Sequence, residues 1–118
     1  MKIKMMGQLG GLSLKKDQVY SLVLIAPLSD IAGALSTVRL INQPFLLGIS
    51  TGDKKVIISE VVFGGLNIHK DGQSKITFLF DSHSIKREEV GNIAEMQDIS
   101  LKIVIKADDK DSSDEENN

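Results

Sequence analysis

Over much of the chain, apolar and polar positions alternate at the two-residue period of a β-strand. In 101–106, Leu101, Ile103 and Ile105 alternate with Lys102, Val104 and Lys106, which predicts one core face and one partly basic face. In 75–81, Ile76, Phe78 and Phe80 share a face. Residues 19–26 are apolar on both faces and stop at Pro27, as expected of a buried central strand. Further strands are predicted over 3–9, 35–41, 45–50, 55–63 and 66–69, several of them rich in β-branched residues.

Turn chemistry separates these runs. Gly10-Gly11 and Gly64-Gly65 read as breaks, Asn42-Gln43-Pro44 interrupts pairing, and Ser50-Thr51-Gly52-Asp53 reads as a hairpin turn. Asp71-Gly72 is the strongest hairpin signal, because both central positions of that turn favour positive φ; it joins 66–69 to 75–81. Helical signals are sparse. Ser84 is the candidate cap of a short helix over 85–96, with Glu88 and Glu89 in its early turns, and Ser29 or Asp30 is placed to open a short turn within 28–35. A mainly β chain of about five to seven strands with one short helix implies a small barrel or sandwich.

Charge divides the chain in two. The formal net charge is −2, from 14 basic and 16 acidic residues. Six of those acids, Asp108, Asp109, Asp111, Asp114, Glu115 and Glu116, fall in 108–118 with a single base, Lys110. Setting that segment aside leaves 13 basic and 10 acidic residues, a balance of +3. The expected organisation is a β-barrel binding domain over 1–107 and an acidic tail over 108–118, disordered by composition. With no cysteine there is neither a disulfide framework nor a thiolate metal site. No stretch approaches the ~20 apolar residues of a membrane-spanning helix, and no signal peptide is evident, so the expected compartment is the cytoplasm.

Catalytic patterns are weak. Asp81-Ser82-His83 holds the three residue types of a hydrolytic triad, but neighbours on an extended chain point in alternate directions, and a polar turn is the better reading. His69 and His83 lack metal-ligand spacing with Asp71 or Asp81. Gly7-Gln8-Leu9-Gly10-Gly11 has neither the lysine nor the helix of a phosphate loop and reads as a turn. Glu60, Glu88, Glu89 and Glu95 show no pairing. The chain is expected to be a binding protein without enzymatic activity or cofactor.

Basic residues recur at strand ends and turns, where a small barrel frames a groove. Arg39, Lys54, Lys55, Lys70 and Lys75 are the candidate phosphate contacts, and Tyr20 and Phe63, beside polar or glycine-rich sequence, are the candidate stacking platforms. A flexible anionic tail can compete with DNA for such a groove or dock a basic partner. Deleting 108–118 is therefore expected to leave the fold intact and to tighten DNA binding.

A cysteine-free chain of this size, with its last strand at 102–106 and the terminal run from Asp108 to Glu116, resembles the small single-stranded-DNA-binding proteins of bacteriophages. Its Lys/Ile/Asn/Asp-rich style is similar to phages of low-GC Gram-positive bacteria, the lactococcal ones in particular. The resemblance implies an oligonucleotide/oligosaccharide-binding (OB) barrel and sequence-independent coating of single strands in phage DNA replication and recombination. It also implies self-association and contact between the tail and a strand-exchange recombinase, all within the infected bacterial cell. The rivals are a phage structural or assembly protein that oligomerises through a barrel without nucleic acid, and a small inhibitory binder of a host protein.

Overall fold

The computed structural model describes residues 1–107; the acidic segment 108–118, expected to be disordered, lies outside the described residues. Six strands form: β1 (Lys2–Leu14), β2 (Val19–Ala26), β3 (Phe45–Thr51), β4 (Lys54–Ile68), β5 (Ser74–Asp81) and β6 (Leu101–Lys106). All pairings are antiparallel, in the order β1-β2-β5-β4-β3-β6, and β6 returns to β1, so the sheet closes on itself. The protein is mainly β and barrel-like, within the expected range of strand number. An OB barrel has five strands; here the sixth, β6, bridges β1 and β3.

Two long strands make the closure possible. Residues 2–7 of β1 pair with β6 and residues 8–14 with β2. Likewise, 54–61 of β4 pair with β3 and 62–68 with β5. The barrel is therefore two four-stranded sheets sharing β1 and β4: a first sheet β1-β6-β3-β4 and a second sheet β1-β2-β5-β4.

The glycine pairs are the devices of this sharing, and here the reading of turns and breaks is corrected. Gly10-Gly11 and Gly64-Gly65 lie inside β1 and β4, at register shifts between Leu9 and Gly11 and between Phe63 and Gly65. Such bulges bend a strand and raise its twist. Gly65 has φ +153°, a conformation side chains rarely adopt. At Gly7 a Cβ would stand 2.7 Å from the carbonyl oxygen of Ile25, so β1 and β2 approach there only because no side chain intervenes.

The inward rows follow the alternation. Across the first sheet run Ile3–Ile105–Leu47–Ile58 and Met5–Ile103–Ile49–Val56; across the second runs Leu12–Leu22–Phe78–Phe63. Most of these side chains are fully buried, and Phe45 meets Phe78 edge-on with centroids 5.8 Å apart. Each fully buried aliphatic contributes about 1.5–3 kcal/mol.

Helical segments close the two ends. The strand expected over 35–41 is instead the end of α1 (Ile31–Ser36) and a 3-10 turn (Thr37–Leu40). Ala34, Thr37 and Leu40 are buried at a three-residue spacing, and the Thr37 hydroxyl donates to the carbonyl of Ala34 at 2.6 Å. The demand for a plug overrides the β propensity of that run. The helix expected over 85–96 forms as α2 (Arg87–Ala94), which buries Ile93. Its N-cap is Lys86 rather than Ser84; the Lys86 amide donates to the Glu89 carboxylate at 3.4 Å. Ser84 belongs to a 3-10 turn (Ser82–Ser84) capped by Asp81.

At the end where β1 begins and β6 stops, Met1 and Ala107 are stitched together. The Met1 ammonium donates to the Ala107 carbonyl, and the Ala107 amide donates to the Met1 carbonyl, both at 3.0 Å. Among the described residues, no helix is long and apolar enough to cross a membrane.

Candidate nucleic-acid interface

Directly opposed residues of antiparallel strands share a face, so register fixes what the outside of each sheet presents. Three outward rows cross the first sheet. They are Lys2–Lys106–Leu46, Lys4–Val104–Gly48–Ile57 and Met6–Lys102–Ser50–Lys55. Five lysines thus come from three strands that are distant in sequence. Glycine at 48 and serine at 50 leave the middle of the face low, and the rows line an open hollow of about 660 Å³. Four strands at their usual spacing make it about 14 Å across.

The electrostatics of this face are one-sided. All five lysines are exposed, and none forms an ion pair among the described residues. Lys2 stands directly opposite Lys106, a like-charge pairing that destabilises a sheet. One acid, Asp30, lines the hollow; its carboxylate accepts from the Met6 amide at 3.1 Å and so anchors the start of α1 to the flank of β1. Glu60 stands beside Lys106 at the margin, in a smaller recess with Pro44.

Of the five cations singled out by sequence, only Lys55 is on this face. Lys54 is half-buried and ion-paired with Glu95, just beyond α2. Arg39 lies in the 3-10 turn after α1, and Lys70 in the β4–β5 turn at the same end of the barrel, opposite to the β3–β4 turn. Lys75 points outward from the second sheet, into a shallower groove of about 580 Å³ with Val23, Ile25 and Thr77. The structure does not bring these five together. Lys2, Lys4, Lys102 and Lys106 take their place, and their signal was the alternation of lysine with Ile3, Met5, Leu101, Ile103 and Ile105.

The expected stacking residues are elsewhere as well. Phe63 is opposite Phe78 in an inward row and is packed against the core. Tyr20 pairs with Phe80 in another inward row, its ring stacked on that phenylalanine at 5.5 Å.

The Asp81-Ser82-His83 run forms a local turn. Asp81 accepts from the His83 amide at 2.9 Å and contacts Nδ1 of the same ring at 2.7 Å. The amide bond, and next the ring contact, hold the Asp81 carboxyl below its ordinary range. The imidazole is almost wholly exposed. Among the described residues, no group of three or more metal-ligating side chains is assembled.

Comparison with known proteins gives no relative to set beside this face: no family model matches the chain, and no curated protein matches it.

Proposed function

We propose that the protein is a non-catalytic binding protein that holds single-stranded DNA, without regard to sequence, against the outer face of the first sheet. The observation that supports this reading is the convergence of Lys2, Lys4, Lys55, Lys102 and Lys106 on one open hollow with a single acid. Unpaired lysines opposed across a sheet lower stability, and a polyanion relieves that repulsion while releasing its own counterions. The phage resemblance extends the reading to coating of strands in replication and recombination, in the cytoplasm of the infected cell. There, the acids of 108–118 would meet a strand-exchange recombinase, and copies of the chain would associate along the strand.

The test is the salt dependence of binding to a labelled oligonucleotide, beside a duplex of equal length. Five neutralised phosphates give a slope of log K against log salt of about −3.5, at about −0.7 for each contact on a single strand. An affinity that is flat from low to moderate salt, or a preference for the duplex, overturns the reading.

A second reading, an assembly module that binds no nucleic acid, is favoured by one observation. Leu28, Leu35, Val38 and Ile41, in and around α1, are between 41% and 58% exposed. Sedimentation of the Leu35→Lys/Val38→Lys variant distinguishes the two. Loss of self-association with DNA binding intact supports the first reading, whereas self-association without any DNA binding supports the second.

A further inference from the structure

The lysine face has a second property, independent of its charge. The chain contains one tyrosine, four phenylalanines and no tryptophan, and the structure accounts for every one of these rings. Phe45, Phe78 and Phe80 are buried. Phe63 and Tyr20 occupy inward rows, opposite Phe78 and Phe80 respectively, and pack against the core. The arginines and histidines, the other side chains able to stack on a base, are also off the hollow: His69 is in the β4–β5 turn and His83 in the 3-10 turn after β5. Arg39 is in the 3-10 turn after α1, and Arg87 opens α2. No stacking group of this protein therefore reaches the lysine face.

Groups able to read base edges are almost as scarce there. Lysine ammoniums are compact point charges that suit phosphate oxygens. The remaining polar side chains of the hollow are Ser50 and Asp30, and Asp30 already accepts from the Met6 amide. Met6, Leu46, Ile57 and Val104 lie between the lysines as apolar ground for sugars.

We infer that the face recognises the phosphodiester chain alone, with the bases turned outward, so that DNA, RNA and a strand without bases are equivalent ligands. This inference rests on the single-strand reading above and narrows it. Single-strand binders that use aromatic platforms draw part of their affinity from each stacked base. This one draws its affinity from phosphate spacing and charge. The bases of a bound strand stay accessible to a complementary strand or to another protein.

The experiment compares the full chain with three labelled strands of equal length at one low salt concentration: oligothymidylate, oligouridylate, and an abasic deoxyribose-phosphate strand. The expected dissociation constants agree within about threefold, and Lys102→Gln weakens all three by the same factor. If the abasic strand binds about tenfold or more weakly than oligothymidylate, the inference is overturned while the single-strand reading survives, because the loss of even one stacked base has that effect. An oligothymidylate that fails to bind at low salt overturns both.

Discussion

The two outer faces of the barrel share strands, alternation and core, yet they differ sharply in charge. The first sheet turns five lysines outward; the second turns out Lys75 among neutral side chains such as Val23, Ile25, Thr77, Leu79 and Val62. The change takes place within single strands. β1 begins with Lys2 and Lys4 on its outer side and, past the bend, continues with Gly10, Gly11 and Ser13. The inward rows are dictated by closure and packing. The outward positions are free of that demand, so a concentration of one charge there marks a surface kept for something other than folding.

The sharpest way to break this contrast is charge reversal on each face. Lys4→Glu/Lys102→Glu is expected to weaken single-strand binding by about a hundredfold and to flatten the salt slope, whereas Lys75→Glu changes it by less than about threefold. Fluorescence anisotropy over a salt series measures both; equal losses on the two faces would remove the distinction.

A smaller effect concerns stability. Lys2→Glu turns the like-charge pair with Lys106 into an opposite pair and is expected to stabilise the fold by about 0.2–1 kcal/mol while lowering affinity. Urea denaturation checks the first outcome and binding the second. A variant that loses stability would mean the lysine pair carries no strain for an anion to relieve.

The smallest effect belongs to Asp81, at the rim of the neutral sheet. Its carboxyl is lowered by the His83 amide and ring, so it contributes stability above the unfolded-state value near 3.8 that is lost as pH falls through the lower folded value. Asp81→Asn should therefore reduce stability slightly near neutral pH, converge with the parent in strong acid, and leave DNA binding unchanged. Thermal melts at a series of pH values would show it.

Much of the fold was legible because its signals are local. The alternation in 101–106, the apolar run at 19–26 and the Asp71-Gly72 signal each set one strand or one hairpin, and each of these elements is present in the structure. The turn, however, closes from His69 to Gly72, with Lys70 and Asp71 at its centre and positive φ at Gly72 alone. What failed depended on partners far along the chain. Gly10-Gly11 and Gly64-Gly65 resemble turns in isolation; only the neighbours of β1 and β4 make them bulges. Residues 35–41 look like a strand until the barrel end requires a plug at Ala34, Thr37 and Leu40. The site suffered in the same way. Which lysines share a face follows from β6 pairing with both β1 and β3, and that register joins residues about 100 and 55 positions apart. Phe63, beside its glycines, looked accessible, but its pairing with Phe78 turns it inward.

The stitched pair Met1 and Ala107 has a practical bearing on how the protein is handled. Both lie next to Lys2 and Lys106, so a tag or fusion added before residue 1 starts at the margin of the lysine hollow and can mask it. The same closeness makes the barrel suited to circular permutation. A short polar linker from 107 to 1 would replace the two hydrogen bonds, and new ends cut at Asp71-Gly72 would emerge beside the second sheet, leaving the lysine rows clear.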